Sequence, residues 1–118
     1  MFAAIAFLNY EMIEPSDRFG QQMIENIEMR GIQLLGIQAC PTTKAQADRL
    51  SKILGNGMIE SLSMLQVYNE RLRGQEKQRI ESLEMFDEFE EWNMLQSHYC
   101  LILGARSSSS ADLSHLKI

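Results

Sequence analysis

The chain has 118 residues, enough for one domain of ordinary size, and 45% of them are hydrophobic, which suits a packed core and argues against disorder. A net charge of −5 comes without any basic stripe able to track phosphates, which argues against a nucleic-acid partner. Cys40 and Cys100 form no metal or redox pattern and match a reducing compartment. The apolar run from Met1 to Leu8 is too short to cross a bilayer and lacks the basic start of a signal peptide, so a cytoplasmic location away from membranes is expected.

Ala3 to Asn9 reads as a strand apolar on both faces, the kind buried in a sheet with helices on each side. Ligands in open α/β sheets bind just beyond the carboxyl ends of such strands, which places Asn9, Tyr10 and Glu11 at a site. No glycine-rich βα loop adjoins this strand, so the natural reading is the C-terminal portion of a larger α/β enzyme. Met12 to Ser16 is a loop containing Pro15, and Ser16 or Asp17 caps the next helix. Phe19, Met23, Ile24 and Ile27 make one helical stripe that Gly31 ends. Ile32 to Ile37 reads equally as a strand or a connection.

Pro41-Thr42-Thr43 opens a second helix to Leu54, with Ala47, Leu50, Ile53 and Leu54 as its apolar face. Gly55-Asn56-Gly57 ends it, as a turn and not a phosphate loop, because no Lys-Ser/Thr follows. Met58 to Ser63 reads as a strand. Met64 to Leu72 reads as a short helix with Leu65, Tyr68 and Leu72 on one side, and Arg71 to Gln78 as a loop or helix start. Gln75 to Ser97 is helical, but Ile80, Leu83, Phe86, Phe89 and Trp92 recur every three residues and drift around the cylinder. A bend near Phe86 or Asp87 keeps both halves on the core. His98 to Ala105 is the last strand. Residues 1–106 form the domain, and 107–118, with Ser107 to Ser110, a flexible tail. The alternation of strands and helices favours α/β architecture, and the first strand is too hydrophobic for an open edge, so it needs a neighbour or self-associates.

Glu81, Glu84, Asp87, Glu88, Glu90 and Glu91 crowd one segment, and no Lys or Arg falls between Ile80 and Gly104. The segment reads as a solvated helix face or as an acidic docking surface. His98 reads as a strand-edge residue, Cys100 as a small buried hydrophobe and the methionines as core filling. No metal site is expected.

Four blocks in order resemble one family: Phe7-Leu8-Asn9-Tyr10-Glu11, then Asp17-Arg18-Phe19-Gly20-Gln21 with Met23-Ile24-Glu25-Asn26, then Arg79-Ile80-Glu81-Ser82-Leu83-Glu84, and His98-Tyr99-Cys100. Their order and spacing are similar to the C-terminal part of the leucine carboxyl methyltransferases, over residues 5 to 105. That resemblance implies S-adenosylmethionine as cofactor and the C-terminal leucine carboxylate of the type 2A protein phosphatase catalytic subunit as substrate. It implies a Rossmann-like class I methyltransferase sheet, of which the three strands would be the fifth, sixth and seventh, with the seventh antiparallel between the other two. The elements that hold most of the cofactor in this family are not among these strands, so weak or absent cofactor binding is expected of this segment alone.

Methyl transfer to a carboxylate needs little acid–base help, because the nucleophile is already ionised at neutral pH. It needs close in-line approach, exclusion of water and a clamp on the substrate carboxylate, so no residue is nominated as catalytic. By resemblance Glu11 is the cofactor contact, its carboxylate suiting a cationic amino group, with Tyr10 shaping the pocket. Arg18 is a substrate candidate, because guanidinium pairs bidentately with carboxylates, and Asn9 is one through the strand-end loop. The alternative is a non-catalytic interaction module or regulatory truncated form, docking through Met85, Phe89 and Trp92 on the acidic helix.

Overall fold

The computed structural model describes residues 3–83, 87–108 and 113–118, which form a small three-stranded antiparallel sheet with flanking helices. Strand β1, Ala4–Met12, pairs with β3, Tyr99–Ser107, in unbroken register from Ala4 opposite Ser107 to Met12 opposite Tyr99. On its other side β3 pairs with β2, Met58–Ser63. The last strand in the chain is therefore the middle one. Both outer strands run antiparallel to it and hence parallel to each other, which demands a long crossover. Helices α1, Arg18–Glu28, and α2, Thr43–Leu54, lie in that crossover.

Each crossover helix starts where a side chain accepts an orphan backbone N–H. Asp17 accepts from Gly20 N–H at 2.6 Å, and Thr42 from Ala45 N–H at 3.0 Å. α2 buries Gln46, Leu50 and Leu54, spaced four residues apart. The face expected from sequence is rotated, for Ile53 is 70% exposed. The cause lies on β3, where Gly104 has no side chain and admits Leu50 and Leu54 against the strand. Leu50 and Leu54 then join Ile13, Cys100 and Ile102 in the core, with Ile59 of β2 packed alongside. Burying each large aliphatic side chain here contributes about 1.5–3 kcal/mol.

Strand β1 continues three residues past the expected end at Asn9, so Asn9, Tyr10 and Glu11 belong to the strand itself. Its place at the edge of the sheet follows the expected order, with the last strand antiparallel between the other two, and Leu8 is 65% exposed. No described strand pairs with its outer side, so its apolar character finds cover only toward β3 and α2.

The segment 32–37 forms turns, resolving its ambiguity in favour of a connection. Met64–Gln66 is a single helical turn, α3, with a reciprocal Ser63–Gln66 capping box, and the chain then widens into a π turn over Val67–Arg71. The turn sets Tyr68 edge-on to Trp92, with ring centres 4.5 Å apart. Helix α4, Gly74–Glu81, and helix α5, Phe89–Ser97, are separate, in keeping with the expected break. Phe86 and Met85 lie outside the described residues, as do Ser109 and Ser110. β3 runs through Arg106 and Ser107, and Ser108 donates from its backbone N–H to the Ala3 carbonyl at 2.8 Å. Near the end of the chain, Ile118 N–H donates to Glu60 at 3.1 Å.

Gly104 tests this packing. A Cβ there would sit 2.6 Å from Leu54 Cδ1 and press on Leu50 as well. Gly104→Ala should therefore lower stability by about 1–3 kcal/mol through overpacking. Urea unfolding should show a lower midpoint at unchanged slope, and an unaltered midpoint would contradict the packing described.

Candidate active-site cleft

The carboxyl end of β1 is held from three sides. Ile13 N–H donates to the His98 carbonyl at 2.8 Å, and Glu14 N–H to the Pro41 carbonyl at 2.7 Å. Glu14 occupies the left-handed region at φ 58°, a conformation that costs a non-glycine residue about 1 kcal/mol or more. Gly20 packs against this turn so closely that a Cβ would run into the Glu14 carbonyl and lie 2.8 Å from Pro15 Cα.

Beneath the turn sits His98, which is only 2% exposed. Its Nε2 lies 2.8 Å from both carboxylate oxygens of Asp17, and its Nδ1 lies 2.7 Å from the Met94 carbonyl. Both ring nitrogens thus sit within hydrogen-bond distance of oxygen atoms, and the Ser97 hydroxyl lies 3.2 Å from Nδ1. The Phe19 ring packs on the imidazole with centres 4.5 Å apart. Sequence reading took His98 for a strand-edge residue. Its partner Asp17 is 81 positions away, and no local pattern signals the pair. The Gly20 N–H and then the His98 ring hold the Asp17 carboxyl below its ordinary range.

A cleft of about 510 Å³ opens around the end of β1. Tyr10, Glu11 and Met12 form one wall, Gln46 and Arg49 of α2 another, and residues 33–37 with Tyr99 complete it. Asn9 and Glu11 point to the α2 side of the sheet, where their opposite numbers Ile102 and Cys100 are buried in the core. Asn9 Nδ2 donates to Glu11 Oε1 at 2.6 Å, and Arg49 Nη2 lies 3.8 Å from the same oxygen. Arg49 Nη2 donates to Gln46 Oε1 at 2.6 Å, and Gln46, itself 2% exposed, donates from Nε2 to the Cys40 carbonyl at 3.1 Å. Tyr10 stacks on Tyr99 at 5.2 Å on the other side of the sheet. Burial first, and then Tyr99 and Cys100, push the Tyr10 phenol above its ordinary value, so it keeps its proton at neutral pH. Burial and the neighbouring Glu11 push the Cys100 thiol up to about 11, which leaves it an inert core group.

The fold therefore places Tyr10 and Glu11 in the cleft lining, whereas Asn9 lies outside it, facing Leu50 and Ile53 of α2, and reaches the cleft only through its hydrogen bond to Glu11. Arg18 stands apart: it is exposed on the first turn of α1, outside the cleft lining, and forms no ion pair among the described residues. Sequence reading missed Arg49 and Gln46. Gln46 carried a usable signal, since it falls four residues before Leu50 on the stripe that faces the core. A larger cavity of about 650 Å³ is lined by Phe19, Trp92, Met94, Leu95 and three glutamates. Its acidity would repel a carboxylate substrate. Trp92 there is engaged with Tyr68, and Met85 of the docking reading lies outside the described residues. Among the described residues no three His, Cys, Asp or Glu side chains group to hold a metal ion, and no helix is long and apolar enough to cross a membrane.

Comparison with known proteins places this geometry in context. A leucine carboxyl methyltransferase 1 homolog of Arabidopsis thaliana is 51% identical over 102 residues, covering 85% of this chain and 30% of that protein. Leucine carboxyl methyltransferase 1 of Bos taurus is 38% identical over 117 residues, covering 98% of this chain and 34% of that protein. The tRNA wybutosine-synthesizing protein 4 of Rattus norvegicus is 33% identical over 105 residues, covering 89% of this chain and 15% of that protein. The chain spans at most about a third of the length of these relatives. No family model matches it.

The His98–Asp17 pair has a measurable consequence. The lowered Asp17 carboxyl contributes stability that is present above the unfolded-state value of about 4 and is lost as pH falls through the folded value. Asp17→Ala should destabilise by about 1 kcal/mol or more at neutral pH, through loss of the helix cap. Its midpoint should also fall less steeply below pH 4 than that of the parent chain. Parallel acid limbs in the two urea–pH series would refute the assignment.

Proposed function

The chain belongs to the leucine carboxyl methyltransferase family, and from that premise we propose that it forms part of an S-adenosylmethionine-dependent enzyme that methylates the C-terminal leucine carboxylate of the type 2A protein phosphatase catalytic subunit. In this reading β1, β2 and β3 are the fifth, sixth and seventh strands of a class I methyltransferase sheet, and the catalytic domain expected over residues 1–106 takes in Ser107 as the last residue of β3, with the tail following it. The observation that carries the reading is the cleft at the carboxyl end of β1, where Tyr10, Glu11 and Arg49 meet.

S-adenosylmethionine supplies an electrophilic methyl group when bound. The side chains present fit such a ligand: the Glu11 carboxylate would hold a cationic amino group, and Asn9 keeps that carboxylate in place through its 2.6 Å hydrogen bond. Tyr10, protonated at neutral pH and stacked on Tyr99, shapes the wall and helps exclude water. Arg18 offers an exposed cation to acidic residues of the substrate protein. No general base is required, since a carboxylate at neutral pH is already the nucleophile. One relative carries a tRNA-related name. The net charge of −5 and the glutamates beside α5 support a protein substrate over RNA.

The test is methyl transfer to a synthetic phosphatase tail peptide, by this chain alone and by a version extended to the length of its relatives. The extended protein should methylate the free acid and not the C-terminal amide. This chain alone should be inactive. Glu11→Gln in the extended protein should weaken cofactor binding by about tenfold or more, the scale of a lost hydrogen bond to charge. Methylation of the amide, or none by the extended protein, would overturn the reading.

The same reading leaves the outer edge of β1 uncovered in this chain, with Phe7 and Leu8 exposed. Sedimentation velocity should show self-association rising with concentration, reduced by Leu8→Lys. A concentration-independent monomer would contradict it.

A further inference from the structure

We propose that Arg49 is the residue that binds a carboxylate in the cleft at the end of β1, with Gln46 as the group that positions it. The inference rests on the carboxyl methyltransferase reading, and it names the clamp for the C-terminal carboxylate of a peptide substrate. The guanidinium is fixed from behind. Its Nη2 donates to Gln46 Oε1 at 2.6 Å. Gln46 is buried and anchored in turn, donating to the Cys40 carbonyl at 3.1 Å, so the amide cannot turn its oxygen away without losing that bond. Gly36 flanks the guanidinium on the other side, where a Cβ would stand in ordinary contact with Nη1 at 3.7 Å. The side chain is 43% exposed and lines the cleft.

Glu11 is the natural rival for this cation, and it forms a loose ion pair with it but no hydrogen bond. Its carboxylate accepts from Asn9 at 2.6 Å, while Arg49 stands 3.8 Å away, beyond hydrogen-bond reach. Arg49 therefore keeps donors in reserve next to a carboxylate that only partly offsets its charge. A planar monoanion suits this arrangement. It can receive two parallel N–H bonds from a guanidinium, whereas a doubly charged phosphate would suffer more from Glu11. The stacked Tyr10 and Tyr99 add an aromatic wall for an apolar side chain such as leucine.

The probe is an acetylated peptide ending in leucine with a free carboxylate, compared with the same peptide as its amide, titrated into the full chain and followed by NMR. The acid should bind about tenfold or more tighter than the amide, with the Arg49 Nε–H resonance shifting on binding. Arg49→Gln should abolish the acid–amide difference. Arg49→Lys, which keeps the charge and loses the planar fork, should retain only part of it. Glu11→Gln should strengthen acid binding by removing the competing anion. Equal binding of acid and amide to the parent chain, or an undiminished difference in Arg49→Gln, would overturn the proposal. If Arg49→Gln fails to fold, Arg49→Lys and the parent chain's own Arg49 resonance decide it. The methyl-transfer assay separates this inference from the reading it rests on. Active extended enzyme with unchanged peptide KM in Arg49→Gln defeats the clamp alone. Arg49-dependent carboxylate binding without methyl transfer defeats the enzymatic reading and leaves the clamp standing.

Discussion

The pairing of β1 with β3 along the whole length of both strands holds this structure in place. Antiparallel register is unforgiving, because a slip of one residue would turn Cys100 and Ile102 out of the core and expose the face of β1 that carries Glu11. Everything functional hangs on that register. It puts Glu11 opposite Cys100, Asn9 opposite Ile102, and Tyr10 diagonal to Tyr99. Gly104 lets α2 settle against the same ladder, and that approach carries Gln46 and Arg49 to the strand end.

Two polar arrangements share the end of β1, and each solves a different problem. The buried His98 meets Asp17 and the Met94 carbonyl, and so ties the start of α1 to the junction of α5 and β3. It stabilises the turn through Glu14 that ends the strand. The second arrangement runs from Cys40 through Gln46 to Arg49 and stops short of Glu11. The first is closed, with both ring nitrogens in contact with oxygen. The second is open toward the cleft, which is the condition for meeting a ligand.

Much of the architecture was legible in the residues. The start of α1 near Ser16 or Asp17, the bounds of α2 and β2, and the separation of α4 from α5 follow from short-range chemistry: cap side chains, turn residues and periodicity. The blocks around Asn9-Tyr10-Glu11 and His98-Tyr99-Cys100 also marked the family correctly. Less legible was the rotation of α2 that exposes Ile53, because the azimuth of a helix depends on the surface beneath it.

Local patterns along the chain were enough to establish the bounds of α2 and β2, the start of α1 near Asp17, and that Asn9, Tyr10 and Glu11 fall at the carboxyl end of the first strand. Folding alone decided that Arg49 joins them, that Arg18 stays outside the cleft, and that His98 is a buried partner of Asp17. Caps and periodicity act over one or two turns of chain, so they are written in neighbouring residues. Arg49 and His98 acquire their roles from contacts across tens of residues, and those exist only once β3 has inserted between β1 and β2 and α2 has packed on Gly104.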